Sequence, residues 1–260
     1  MKVVILCGGK GTRIKDVNEN LPKPMVPIGN HPIIWHVMKT YANFGYKEFI
    51  LCLGYKAEII KNFFLNYRML TSDFTIDFSN NDQIFFQAEQ APLDWKITFV
   101  DTGLESLTGS RVSKIRSYIG TDKNFMLTYG DGLSDVNIPA LEKFHLNHGK
   151  IITVCGVHPP GRFGELEVDQ HGQINEFNEK PQTTSGRISG GFFVCQSSIF
   201  NYLDKHRDNE TLEAEPMRKI ARDGEMMMFT HDGFWQCMDT RRDYELLNKL
   251  YADNETRWIT

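Results

Sequence analysis

The sequence predicts an α/β fold with a right-handed parallel sheet, on three observations. Short apolar runs are nearly continuous at VVILC (3–7), FILCLG (49–54) and FMLTYGDG (125–132), as in strands covered on both faces. Segments of helical period stand between such runs, and strand, helix, strand in alternation builds right-handed crossovers. Beyond about residue 160 the pattern changes to strands separated by turns, a mixed C-terminal portion.

Each element follows from local chemistry. VVILC breaks into Gly8, Gly9 and Gly11, and LPKPMVPIG (21–29) is stiffened by Pro22, Pro24 and Pro27. In HPIIWHVMKTYANFG (31–45), Ile33, Ile34, Val37, Met38, Tyr41 and Ala42 form one helical stripe that ends near Gly45. FILCLG and KAEIIKNFFLNY (56–67) read as the next strand and helix. ITFVDTG (97–103), FMLTYGDG and IITVCGV (151–157) are strands, and PALEKFHLNHG (139–149) is a helix with Pro139 in its first turn and Gly149 as its stop. GELEVD (164–169) and INEFNEK (174–180) read as a hairpin, with Gly172 free to take positive φ. SGGFFVCQ (189–196) and MMMFTHDGFWQCMD (226–239) are further strands. Helical patterns recur at SSIFNYLDK (197–205), at PMRKIARDG (216–224) and from about Arg241 to Tyr251. No repeat, low-complexity tract or linker interrupts them, so one domain over residues 1–260 is expected.

Composition excludes several classes. With 260 residues the chain can bury one sizeable core, and 41% hydrophobic with 24% charged residues is globular, not disordered. The net charge of -4 is interspersed and offers no basic stripe, so no nucleic-acid partner is expected. No apolar run nears the ~20 residues that span a bilayer, and glycines interrupt the first ten residues before a signal-peptide core forms. Neither a membrane nor export is expected, and the reading is cytoplasmic. The five cysteines form no C-x-x-C pair and read as reduced thiols. His145 and His148 lie three apart on a helix without a third ligand, so no zinc site is expected.

The first loop, ILCGGKGTR (5–13), is built for phosphate, because glycines let an anion approach backbone N–H groups. It lacks the Gly-Lys-Ser/Thr end of a P-loop. It also fails the dinucleotide pattern, since Ile14 stands at the third glycine position and no acidic residue occurs from Asn20 to Lys47. What remains is a glycine loop with its own cations, Lys10 and Arg13, followed by Lys23, a set suited to a triphosphate whose leaving group is pyrophosphate. Asp131 ends a buried strand between glycines, well placed to hold Mg²⁺ against phosphate oxygens. Glu179 and Lys180 offer a hydroxyl acceptor beside a phosphate cation. Asp239 follows an aromatic strand and precedes a helix, where it is either a second metal ligand or an N-cap.

Taken in this order, GGKGTR (8–13), PKP (22–24), GD (130–131), EKP (179–181), GGF (190–192) and the late Asp239 resemble the nucleoside-diphosphate-sugar pyrophosphorylases over essentially the whole chain. PKPMVPIG, PIIWHVMKTYANFG, VDTG, TYGDGLSD, PPGRFGELEV, SGGFFV and GFWQCMDTRRD are similar to the glucose-1-phosphate cytidylyltransferase subgroup. The resemblance implies a Rossmann-like, mixed but mostly parallel central sheet flanked by helices. About 1–155 would bind nucleotide and about 156–260 sugar phosphate. It implies the reaction of CTP with α-D-glucose 1-phosphate to give CDP-glucose and pyrophosphate, assisted by Mg²⁺, in a cytoplasmic homo-oligomer (trimer or hexamer) serving bacterial deoxysugar and O-antigen synthesis.

The expected nucleotide site comprises Leu6, Gly8, Gly9, Lys10, Gly11, Thr12, Arg13, Lys23, Ser106, Thr108, Arg111 and Gly130. Arg13, Lys23 and Asp131 carry the chemistry, Glu179, Lys180 and Gly191 bind the sugar phosphate, and Asp131 with Asp239 holds the metal. TGLESLTGSR (102–111) stands where thymidylyl relatives read the base. Three departures stand out: Ile14 replaces the commoner Leu, the nearby Glu is displaced to Glu19 or lost, and Leu212 replaces an aromatic residue. Two other readings keep the same residues: a pyrophosphorylase for another nucleotide or acceptor, and a catalytically silent nucleotide-binding subunit.

Overall fold

A computed structural model describes residues 1–11, 17–87, 93–159, 165–168, 174–178, 186–204 and 208–259. In chain order, β1 (Val3–Leu6) leads to a 3₁₀ turn (Lys23–Met25), the short β2 (Pro27–Ile28) and β3 (His31–Pro32), and then α1 (Ile33–Asn43), β4 (Glu48–Leu53), α2 (Ala57–Leu65) and α3 (Tyr67–Thr71). A hairpin of β5 (Phe74–Asp77) and β6 (Gln83–Phe86) precedes β7 (Lys96–Asp101), α4 (Thr108–Lys114), α5 (Arg116–Ile119), β8 (Asn124–Tyr129), β9 (Gly132–Ser134), α6 (Ile138–His148) and β10 (Ile152–Val157). The chain continues through β11 (Glu165–Val168), β12 (Ile174–Asn178), β13 (Ile188–Gln196), a 3₁₀ helix (Ser197–Tyr202), α7 (Glu215–Arg222), β14 (Met226–Thr230), β15 (Trp235–Cys237), α8 (Arg241–Ala252) and a last 3₁₀ turn (Arg257–Ile259).

Seven strands form the central sheet in the order β14-β10-β13-β8-β1-β4-β7. Strands β8, β1, β4 and β7 run parallel, as do β10 and β14, while β13 is antiparallel to both its neighbours. The result is the mixed, mostly parallel α/β sheet expected from the sequence. Leu6 pairs with Cys52 on one side and Tyr129 on the other, so the loops after β1, β4 and β8 leave the same edge together. Because β13 is reversed, its early residues lie where β8 ends, with Phe192 opposite Thr128.

The period of two along β1 divides the core between the sheet faces. Val3 and Ile5 join one cluster with α1, whereas Val4 and Leu6 join another with Val112 of α4 and Ile220 of α7. Each fully buried aliphatic side chain contributes roughly 1.5–3 kcal/mol of transfer free energy, which makes register slips costly. Helix ends behave as their residues dictate. Gly45 and Gly149 take φ of 88° and 65° after α1 and α6, and the Asn137 side chain accepts from Ala140 N at the start of α6.

Several elements differ from the sequence expectation. Ser197–Tyr202, where a helical pattern was expected, forms a 3₁₀ helix, and the polar TGLESLTGSR ends in α4 from Thr108. The hairpin of β5 and β6 was not expected. MMMFTHDGFWQCMD is two strands, since β14 ends at Thr230 and β15 leaves the main sheet to pair antiparallel with β9. All five cysteines are free and four are buried. Both His145 Nδ1 and His148 Nε2 bond to Thr153 Oγ1 (2.8 and 2.7 Å), with no metal-binding cluster among the described residues. No helix among the described residues is long and apolar enough to cross a membrane.

The C-terminal turn docks on α1 through His36. This buried ring donates from Nε2 to the Ile28 carbonyl (2.8 Å) and accepts at Nδ1 from the Trp258 indole (3.2 Å), which defines a neutral tautomer. Burial, with His31 nearby, pushes its pKa down from 6.5 to about 4. Between those values the unfolded chain binds a proton that the folded chain excludes, so stability falls as pH falls, by about 1–2 kcal/mol near pH 5. The thermal midpoint is therefore expected to drop more between about pH 7 and pH 5 in the wild type than in His36→Gln. Equal pH slopes would exclude His36 as the source.

Candidate active site

Four chain segments meet at the carboxyl edge of the sheet. β1 delivers the glycine loop, and β8 delivers Tyr129, Gly130 and Asp131. β15 delivers Asp239, and the 3₁₀ turn between Pro22 and Val26 delivers Lys23. The turn is closed by Met25 N donating to Pro22 O (2.8 Å) and Val26 N to Lys23 O (3.1 Å). It aims Lys23 between two carboxylates, with Nζ 2.5 Å from Asp131 Oδ2 and 2.5 Å from Asp239 Oδ1. Burial alone would lower the lysine pKa, but Asp131 and then Asp239 outweigh it and hold the ammonium charged.

Asp239 is not the cap of α8. That role belongs to Thr240, whose side chain accepts from Asp243 N while Asp243 accepts from the Thr240 backbone, a complete capping box. Asp239 is held instead by its own backbone N–H on Asp243 Oδ2 (3.1 Å) and by Met238 N on Asp131 O (2.9 Å).

Two clefts open on either side of this cluster. One of about 320 Å³ is lined by Leu6, Gly8, Gly9, Gly11, Lys23, Ser106, Thr108, Arg111, Gly130 and Asp131, among others, so it gathers most of the expected nucleotide residues. A second, of about 270 Å³, is lined by Gly191, Thr128, Trp235 and Asp239. Tyr129 and Asp131 line both. Lys10 does not line either cleft; its ammonium rests on Glu105 (2.7 Å). Thr12, Arg13, Glu179 and Lys180 lie outside the described residues.

Arg111 does more than line the cleft. Its buried guanidinium donates to Leu53 O (2.9 Å), Thr102 Oγ1 (2.7 Å) and Gly8 O (2.9 Å), which ties the glycine loop to the ends of β4 and β7. A Cβ at Gly8 would stand 2.2 Å from Arg111 Nη1 and 2.9 Å from Gly54 N, so a side chain there would displace both the guanidinium and the neighbouring backbone. Ser106 Oγ likewise donates inward, to Thr102 O (2.6 Å). Tyr129 and Trp235 were not singled out from the sequence. Trp235 Nε1 donates to Gly190 O (2.7 Å) and forms one wall of the second cleft. Their positions in TYGD and GFWQ, beside the two aspartates, are the only local signal.

The carboxylate pair suits a hard divalent cation. Oxygens of Asp131 and Asp239 lie 2.5 Å from one nitrogen, so they converge on a single cation-sized position. Mg²⁺ takes one or two carboxylates and fills its other octahedral positions with water and phosphate oxygens. Two carboxylates therefore fit it when a nucleotide supplies the rest, and no group of three or more ligating side chains exists among the described residues to hold a metal alone.

A glycine loop at the edge of a mostly parallel sheet thus faces a lysine and two acids between paired clefts. The chain belongs to the nucleotidyl transferase family, whose model matches residues 2–254. It is 44% identical over 260 residues to the glucose-1-phosphate cytidylyltransferase of Salmonella typhi and 44% identical to that of Salmonella typhimurium, covering 100% of this chain and 99% of each relative. The motif resemblance to the cytidylyltransferases agrees with these relatives. HddC from Yersinia pseudotuberculosis shares the fold, with a TM-score of 0.68 at 24% identity over 96% of this chain and 99% of that one.

Removing the ammonium leaves two partly buried carboxylates facing each other. Lys23→Met is expected to lower stability by about 1–3 kcal/mol, a few degrees in thermal midpoint. Millimolar Mg²⁺ should raise the midpoint of the variant more than that of the wild type. An identical Mg²⁺ response in both proteins would show that Lys23 and the metal do not share the carboxylates.

Proposed function

We propose that the protein transfers the cytidylyl group of CTP to α-D-glucose 1-phosphate, forming CDP-glucose and releasing pyrophosphate. The observation that carries this reading is the position of Lys23, Asp131 and Asp239 at the junction of two clefts, where a donor and an acceptor phosphate would meet. Full-length identity of 44% to named glucose-1-phosphate cytidylyltransferases supports the choice of both substrates.

No covalent nucleophile is needed. A phosphate oxygen of glucose 1-phosphate attacks the α-phosphorus of CTP in line, the bond from that phosphorus to the β-bridging oxygen breaks, and pyrophosphate leaves with the electron pair. Catalysis is then positioning and charge stabilisation. Gly8, Gly9 and Gly11 let the triphosphate approach the backbone, and Gly11 already takes φ of 56° against Lys23. Lys23 serves the bridging region between attacking and transferred phosphates, with Arg13 and Lys10 on the β- and γ-phosphates. For Lys10 this requires leaving Glu105, an exposed pair that costs little to break. Glu179 and Lys180, on the strength of the family resemblance, hold a sugar hydroxyl and the acceptor phosphate, and Gly191 lines the second cleft.

Mg²⁺ held by Asp131 and Asp239 would neutralise charge on the phosphate oxygens during transfer. A cytoplasmic homo-oligomer, with a nucleotide part over about 1–155 and a sugar-phosphate part over about 156–260, completes the proposal on the strength of the family resemblance.

A pyrophosphate-release assay across four nucleoside triphosphates and several sugar 1-phosphates should give the highest kcat/KM for CTP with glucose 1-phosphate. Preference for dTTP or UTP would refute the substrate assignment, and no release from any pair would refute the enzyme reading. Asp131→Asn and Asp239→Asn are each expected to cost ~100-fold or more in kcat/KM, the range for losing one preorganised electrostatic group, while both variants remain folded. Near-normal rates in either would remove that carboxylate from the chemistry.

A further inference from the structure

The segment Asp208–Glu213 backs the start of α4 bond by bond. Leu107 N donates to Asp208 O (2.9 Å), Ser110 N to Glu210 O (3.1 Å) and Leu212 N to Thr108 Oγ1 (2.9 Å). Leu212 is fully buried and anchors the backbone immediately before the exposed Glu213. One Glu213 oxygen accepts from Thr108 Oγ1 (2.6 Å), on the wall of the nucleotide cleft, and the other accepts from the Tyr129 hydroxyl.

Tyr129 is the partition between the clefts. It lines both, and it packs on the backbone of Gly191, where φ is 78° and a Cβ would come within 2.4 Å of the ring. Phe193 meets the ring edge-on at 5.9 Å. The hydroxyl end is held by Glu213. A carboxylate near phosphates is unfavourable unless it holds a cation or fixes its neighbours, and the partners of Glu213 are two hydroxyls.

We infer that Glu213 is a positioning residue for the proposed transfer: by bridging Thr108 and Tyr129 it sets the partition at the angle that brings the acceptor phosphate in line with the α-phosphorus. The inference rests on the proposed reaction. In-line geometry is sensitive to displacements of about 1 Å, so a partition free to swing would misplace the acceptor more than it weakens the nucleotide.

The test is steady-state pyrophosphate release from CTP and glucose 1-phosphate by the wild type, Glu213→Ala, Glu213→Gln, Tyr129→Phe and the Glu213→Ala/Tyr129→Phe double variant. Calorimetric binding of CTP and thermal midpoints are measured alongside. Glu213→Ala is expected to lower kcat/KM for glucose 1-phosphate ~10-fold or more, with CTP affinity within ~3-fold and the midpoint unchanged. Glu213→Gln keeps one acceptor and should recover most of the loss. The double variant should be no worse than Tyr129→Phe, because both changes cut the same link. Unchanged kinetics in Glu213→Ala, additive losses in the double variant, or parallel losses in CTP affinity and midpoint would overturn the inference while leaving the reaction intact. A wild type that releases no pyrophosphate from this pair would overturn the reaction and the inference with it.

Discussion

Two carboxylates brought to one point need a cation, and the site is organised around that requirement. Asp131 ends a strand of the main sheet, whereas Asp239 arrives on β15, which leaves the sheet to pair with β9. The backbone bond from Met238 N to Asp131 O fastens the two approaches together (2.9 Å). With Lys23 between them the three side chains carry a net single negative charge. In the proposed reaction that remaining negative charge would attract a divalent ion once phosphates are present, and the stiff turn around Pro22 and Pro24 keeps the lysine beside both carboxylates.

The reversed strand solves a second problem. A purely parallel sheet would send every strand's carboxyl end to the same edge and leave only loops to build the acceptor wall. By running antiparallel beside β8, β13 places Gly190 and Gly191 next to Tyr129, and Trp235 fastens Gly190 from above through its indole. The two clefts thus share one edge of one sheet, where open α/β sheets bind their ligands.

What was legible in the sequence is what local chemistry determines. Continuous apolar runs marked β1, β4 and β8, and Gly45 and Gly149 marked helix ends, because each depends on residues a few positions away. The Thr240–Asp243 capping box was readable on the same terms, and reading it would have freed Asp239 from the role of cap. Helix α4 was hidden, since TGSRVSK has almost no apolar period and is held instead by the segment after Asp208. Arg111 reaches acceptors 58 and 103 positions away, and Lys10 meets Glu105 95 positions away. Such pairings exist only once the sheet order is known. The motif resemblance pointed to residues that line one cleft, but not to which of their polar atoms face inward.

Arg111 shows how the nucleotide loop is both supported and charged. Its guanidinium is always protonated, yet the acceptors it meets at Leu53, Thr102, Gly8 and Leu104 are neutral oxygens. Burial works against the charged form and is the first cause of its lowered pKa, with Cys52, Cys7 and Asp101 offsetting only part of that effect. A positive charge so placed, directly behind Gly8, projects its field through the glycine loop into the cleft in front of it. An incoming triphosphate would relieve the imbalance. In the proposed reaction the glycines let the triphosphate approach that charge with no side chain standing between the two.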